Sequence, residues 1–295
     1  MHCTKFDDPK RRTYGSGVLD QILSLPAGAI AIADIGAAFL GETPPYQPLL
    51  DSGAGKLFAF EPDARQVEAL RQRLGKTGTV FPDAVGDGAE HTLHICNFGW
   101  SSILEPDPAA RAFFNNLAQL GRVESTARIQ TRRLDDVADL PQIDFLKMDV
   151  QGAELMVLQN GRDKLAGCVA VQLETSFVTL YRDQPPFGAV DMEMRSQGFI
   201  PHRFMDVKRW PIAPAIAGND PRMALNQLLE SDIVYIRDLT RPDGFSDLQL
   251  KKLAAIAHIY RSPDLAVRCL IELHKRGAAE DSDILRYLVS QGLKR

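Results

Sequence analysis

The chain has 295 residues, of which 45% are hydrophobic and 24% charged, with a formal net charge of −4 and a pI near 5.9. That is the balance of an ordinary globular protein, long enough for one large α/β domain with an appendage or for two modest domains. With no run of Lys or Arg it offers no footprint for a nucleic-acid backbone, and its four scattered cysteines, without a C-x-x-C pair, exclude a disulfide framework or zinc knuckle.

Residues 1–28 read as a leading segment with one short helix, GVLDQILSL. The start, MHCTKFDDPKRR, is too polar for a secretory signal, and no apolar stretch near it would span a bilayer, so the expected location is cytoplasmic, without a membrane span. Seven apolar strand candidates follow, at 29–35, 56–62, 78–85, 143–150, 168–175, 198–204 and 232–239. Helical spacing predicts helices at 64–74, 153–165 and 187–198, the last ending in Gly198 at a position that suits a helix stop. The first, second, fourth and fifth strand candidates are nearly continuous apolar runs, as strands covered on both faces require. Alternation of this kind predicts an α/β domain over 29–239, built on a mainly parallel seven-stranded sheet with helices on both faces.

The stretch 86–142 breaks the alternation. It holds a strand-like HTLHIC, a loop NFGWSSILEPDP, a short helix AARAFFNNLAQLG and a second strand-like ARIQTRRL, and reads as an insertion bordering the ligand site. Cys96 and Cys168 lie in apolar runs and are expected to be buried thiols, while Cys3 and Cys269 carry no signal. After Leu239 the turn TRPDG introduces three helical patterns, a C-terminal helical appendage over 240–295. The second has Ser262 as cap, Pro263 at its first position and Gly277 at its end.

In an open α/β sheet, ligands sit beyond the carboxyl ends of the strands. The first strand ends in Asp34-Ile35-Gly36-Ala37, where Gly36 would let the backbone approach a ligand. A dinucleotide site wants G-x-G-x-x-G here; this chain has one glycine, then alanines, then Gly41, with an acid beside the turn. An acid repels a pyrophosphate but suits the ammonium and sulfonium of S-adenosylmethionine. Glu61, ending the second strand, is placed to accept hydrogen bonds from a ribose diol, each worth roughly 1.5–3 kcal/mol. Asp83, ending the third, is placed for an adenine amino group, with Ala84 leaving room for the ring. The string IDFLKMDVQGAEL puts Asp149 at the tip of the fourth strand and Glu154 in the first turn of the following helix, where the helix dipole favours an acid. Asp149 is thus a candidate to orient or deprotonate an acceptor hydroxyl. Lys147, two residues earlier and on the same side, has an ion pair with Asp149 as its plainest reading.

The string IDFLKMDVQGAELMVLQNG closely resembles the hallmark of the FkbM-type methyltransferases. IADIGAAFLG, LFAFEPDARQVEAL, DAVGDGAEHTLHI, the WSSILEP loop and TRRLDDV follow that family's order, and the resemblance covers about residues 30–240. It implies a class I methyltransferase (Rossmann-like) fold, S-adenosylmethionine as donor, and oxygen methylation, often of a sugar or polyketide hydroxyl. It also implies that Asp34, Gly36 and Ala37 form the methionine-end loop, Glu61 the ribose acid and Asp83 the adenine contact. The chain departs from the family in having Gln151 where many members have Glu, and in one extra residue before Gly41 of its first loop.

On the acceptor side, Glu174 ends the fifth strand and is a second catalytic candidate beside Asp149. Ser101, Ser102, Trp100, Tyr181 and His202 are candidates for a polar, aromatic-edged pocket around a small-molecule or glycan acceptor. With no His-rich ligand set, no metal is predicted. Two other readings stand beside the methyltransferase: a nicotinamide-dependent oxidoreductase, against which the missing glycines and Asp34 count, and a non-catalytic module whose helical tail binds a partner. The tail is equally open to a homodimer contact, a cover over the acceptor site or a tether for another enzyme.

Overall fold

The structure, a computed structural model, describes residues 16–38, 43–75 and 77–294. Cys3, Gly41 and the first fifteen residues of the leading segment lie outside the described residues. The chain divides into two compact units. One is Ala27–Gly244; the other joins residues of Met1–Pro26 to Phe245–Arg295.

The smaller unit is helical: α1 (Ser16–Leu23), α7 (Asp247–Ile259), α8 (Pro263–Lys275) and α9 (Asp281–Gln291). Helix α1, which the sequence assigns to a leading segment, packs with α7 and α9, because Leu19 and Leu23 form a stripe that only another apolar face can cover. Local signals set the ends of the tail helices. Ser246 and Gln249 close a capping box on α7, Pro263 opens α8, and Gly277 follows it at φ +71°. Cys269 is buried here.

The larger unit runs β1 (Ile30–Ile35), α2 (Gln47–Asp51), β2 (Gly55–Phe60), α3 (Ala64–Leu74), β3 (Gly78–Phe81), β4 (Ala84–Val85), β5 (Glu90–Cys96), α4 (Pro108–Ala112), β6 (Val123–Arg132), β7 (Phe145–Met148), α5 (Glu154–Gln159), β8 (Ala170–Ser176), α6 (Phe187–Ser196), β9 (Phe199–Arg209) and β10 (Leu228–Arg237). Its main sheet has the order β3-β2-β1-β7-β8-β10-β9, parallel except that β10 runs against both neighbours. This is the class I methyltransferase fold, and the seven expected strands are its seven strands. The order reverses between β1 and β7, the switch point at which such sheets open a crevice for ligands.

The expected third strand is two strands: Pro82, which has no N–H to donate, ends β3, and β4 joins a separate three-stranded sheet β4-β6-β5 built from the insertion. Helix α5 is shorter than its pattern, since Asn160 caps it through Met156 O and Gly161 packs against Leu134. The helix expected at 109–121 stops at Ala112, and Asn116 then turns at φ +59°. The core beneath the site includes Ile35, Phe60, Leu146, Met148 and Leu173, with Cys168 buried among them as expected. Among the described residues, no helix is long and apolar enough to cross a membrane.

Candidate functional site

The carboxyl ends of β1, β2 and β7 open onto a cavity of about 930 Å³, lined among others by Asp34, Gly36, Ala37, Glu61, Asp83, Ala84, Ser101, Ser102, Lys147, Asp149 and Gln151. It therefore brings together all six residues the sequence assigns to the cofactor and one of its two catalytic candidates. Glu174, Tyr181 and His202 do not line it.

Asp34 is buried, and its Oδ2 accepts a 2.5 Å hydrogen bond from the Tyr46 hydroxyl. Its Oδ1 has Lys147 Nζ at 3.3 Å but no well-formed hydrogen bond. Lys147 and Asp34 are register partners across β1 and β7, so the lysine reaches Asp34 where the sequence suggested Asp149. Burial presses the ammonium toward neutrality, yet Asp34 and Asp149 outweigh it and raise its pKa, which keeps it charged.

Gly36, at φ +78°, has a structural reason for being glycine: a Cβ there would stand 2.0 Å from the Asp149 carbonyl oxygen. The expected close approach is thus that of the β7 terminus. The backbone N–H groups of Gly36 and Ala37 both donate to Phe60 O at 3.1 Å and are already satisfied. These two residues line the cavity without free donors.

Glu61 is buried; its Oε1 accepts from the Asp63 N–H at 2.8 Å, and its Oε2 has no hydrogen-bond partner among the described residues. Burial raises its pKa, with Asp63 and Asp34 adding to the effect. Asp83, at the rim, has Arg132 Nη1 at 3.4 Å.

At the other end of the cavity lies an arrangement centred on Gln151, which sits on the turn after β7 at φ +54°. Its amide nitrogen donates to Asp149 Oδ1 and to Glu174 Oε2, each at 2.8 Å, and its Oε1 accepts from the Tyr181 hydroxyl at 2.9 Å. Glu174 also faces Lys208 Nζ at 3.6 Å. Burial lifts the Glu174 pKa well above the carboxylate range, reinforced by Asp149 and Glu230 and opposed by Lys208. Glu154, fully enclosed, accepts from the N–H groups of Val150 and Gly152, and burial pushes it up to about 7. The Ser102 hydroxyl donates to Gln151 O, and Ser101 Oγ accepts from the Cys96 N–H, so both serines hold backbone in place. Tyr181 is buried in an apolar cluster with Phe114 and Leu229, its ring 5.2 Å from the Arg111 guanidinium; Trp100 lies 5.3 Å from the same group. His202 lies on the edge strand β9, away from the cavity.

Four contributors escaped the sequence reading. Tyr46 comes from the TPPYQP loop; Gln172 and Asp232, joined at 2.7 Å, line the cavity from β8 and β10; Gln151 was noted only as a missing acid. Burial and the nearby Asp149 raise the Asp232 pKa. Because β10 is antiparallel, its early residues reach the ligand edge, a signal readable only once its direction is known.

The model of the Methyltransferase FkbM domain matches residues 34–201, more than half of the chain. The chain belongs to the FkbM methyltransferase family. Among curated proteins it is similar to the 2-O-methyltransferase NoeI of Sinorhizobium fredii (strain NBRC 101917 / NGR234), 33% identical over 144 residues. The match takes in 46% of this chain and 59% of that relative's length. Similar solved structures include the magnesium protoporphyrin IX methyltransferase (ChlM) of Synechocystis PCC 6803 with bound SAM, at 10% identity and TM-score 0.35, covering 81% of this chain and 86% of that one. Another is the precorrin-6y C5,15-methyltransferase of Geobacter metallireducens GS-15, at 11% identity and TM-score 0.35, covering 76% and 87%. The family implies use of S-adenosylmethionine.

Proposed function

We propose that this FkbM-family protein is an S-adenosylmethionine-dependent O-methyltransferase acting on a hydroxyl of a glycan or small-molecule acceptor. The observation that carries the reading is the convergence of Asp34, Glu61, Asp83 and Asp149, from strand ends, on one cavity where the Gly36 and Ala37 amides are already committed to Phe60 O. A pyrophosphate needs such amides. Their commitment to Phe60 O counts against a nicotinamide cofactor, and the acids favour a cationic one.

The residues fit that donor. Glu61 keeps a carboxylate oxygen for a ribose diol, Asp34 keeps a buried oxygen without a well-formed hydrogen bond, and Asp83 stands at the rim for an adenine amino group. Held by Asp34, Glu61 and Asp83, S-adenosylmethionine would supply a sulfonium methyl for transfer to an acceptor oxygen. The chain's own share is to hold the acceptor close and aligned and to receive its proton on a carboxylate near β7 and β8. Oxygen as the accepting atom is supported by the name of the relative in Sinorhizobium fredii.

Calorimetric titration with S-adenosylhomocysteine and, separately, with NAD tests the donor. Binding of the first alone is expected; binding of NAD alone overturns the reading. A screen of nucleotide-sugars and glycans with labelled methyl donor then identifies the acceptor.

A further inference from the structure

We infer that Gln151 is a positioning residue that divides the acid pair at the acceptor end, leaving Asp149 as the acid open to a hydroxyl and sealing Glu174 behind it. The inference rests on the methyl-transfer reading above and deepens it by choosing between the two acids.

Asp149 lines the cavity; one of its carboxylate oxygens takes an amide proton from Gln151, and Oδ2 has no hydrogen-bond partner among the described residues. Glu174 is off the cavity wall, its side chain 12% exposed, with Oε2 held by the Gln151 amide and Oε1 facing Lys208 Nζ at 3.6 Å. The Gln151 amide thus bridges the two acids. Tyr181 holds it from the other side, and the Tyr181 ring is backed by the Arg111 guanidinium. The Gln151 backbone is pinned as well, through Ser102 Oγ to Gln151 O at 2.7 Å. A side chain fixed at three points, on a backbone pinned at a fourth, is a partition between the two acids, and of the two only Asp149 lines the cavity.

In the proton step, the acceptor O–H bond breaks as its oxygen gains the methyl group. The proton forms a new O–H bond on Asp149 Oδ2 and later leaves to water. Glu174 tethers the amide and takes no proton from the acceptor.

Carboxyl footprinting tests the division without needing the natural acceptor. The folded protein is treated with a water-soluble carbodiimide and glycine ethyl ester, and modification of each acid is read by mass spectrometry. Asp149 is expected to react at least ten times faster than Glu174. In Gln151→Gly, which suits the positive φ and therefore the fold, the ratio is expected to collapse as Glu174 becomes reachable. A second readout is a carboxyl-carbon NMR titration of Gln151→Met, with the two acids assigned through Asp149→Asn and Glu174→Gln. Loss of the donated hydrogen bond should raise the Glu174 titration midpoint by about one pH unit. Equal labelling of the two acids in the unaltered protein, an unchanged ratio in Gln151→Gly, or a Glu174 midpoint that does not move in Gln151→Met would each overturn the inference. S-adenosylhomocysteine titration of the same samples keeps the two questions apart: failure to bind sinks the methyltransferase reading, whereas binding with an unmoved Glu174 midpoint sinks only the partition.

Discussion

The two ends of the cavity are built on different plans. At the end we assign to the methyl donor, Asp34, Glu61 and Asp83 each come from the end of its own parallel strand. At the acceptor end, Asp149, Gln151, Glu174 and Tyr181 form one hydrogen-bonded cluster drawn from the β7 turn, β8 and the loop after it, with Asp232 entering from an antiparallel strand. The donor end is additive: three strands each deliver an acid. The acceptor end is cooperative, since removing one member unsatisfies the others. Lys147 joins the two ends, being paired to Asp34 and close enough to Asp149 to feel its charge.

That joint is where the largest effect is expected. Lys147→Met removes the cation facing a carboxylate whose side chain is 5% exposed. Breaking a buried pair on one side costs about 3–5 kcal/mol, so the melting temperature should fall by roughly 10 °C. Calorimetry with and without S-adenosylhomocysteine distinguishes two outcomes. If the joint matters mainly to the fold, both scans drop together; if Lys147→Met unfolds as the unaltered protein does, Asp34 is not held by this pair.

Next in size is the donor end alone. Glu61→Ala should weaken S-adenosylhomocysteine binding by 1.5–3 kcal/mol, about 10- to 100-fold, the worth of a hydrogen bond to a charged group. The acceptor-end network should be untouched, so the Glu174 midpoint should stay where it was. Unchanged affinity would remove Glu61 from the site, and a simultaneous shift of that midpoint would show that the donor end is not independent.

The same contrast explains what the sequence reveals. Buried parallel strands announce themselves as apolar runs, and the acid that ends such a run marks the ligand edge; Asp34, Glu61, Asp83 and Asp149 were legible for that reason. The tail helices were legible because their caps are local. Asp232 was not, because it lies within β10, a strand whose antiparallel direction the sequence does not state. Gln151 was visible only as a departure from an acid; its meaning depends on Glu174 and Tyr181, which lie 23 and 30 residues away. Lys147 was read against its neighbour two positions on, when the closer partner is across the sheet. Serines 101 and 102 reach the cavity wall as expected, yet their hydroxyls serve the backbone.

A pH series probes the acceptor end by a different route. Burial pushes Glu154 up to about 7, above its ordinary 4.5. An acid whose pKa is raised on folding binds its proton more tightly in the folded state. Its contribution to stability is therefore greatest below about 4.5 and is lost as pH rises through 7. In Glu154→Gln the fall in unfolding free energy between pH 5 and 8 should be smaller, by on the order of 1–3 kcal/mol. Denaturant melts at four pH values measure it, and identical slopes for the two proteins would show that Glu154 is ionised throughout.

The smallest expected effect belongs to His202, which the sequence offers as an acceptor contact. It stands on β9, the outermost strand of the sheet, where the register slips between Val234 and Tyr235 of β10. Neither the cavity wall nor the Gln151 cluster includes it. His202→Ala should leave S-adenosylhomocysteine affinity within twofold of the unaltered value and the Glu174 titration midpoint in place. The comparison with Glu61→Ala is then direct: one polar residue at a strand end and one on an edge strand, changed to the same side chain, separate a site residue from a surface one. A tenfold loss in His202→Ala would mean that the ligand path extends beyond the cavity to the sheet's outer edge.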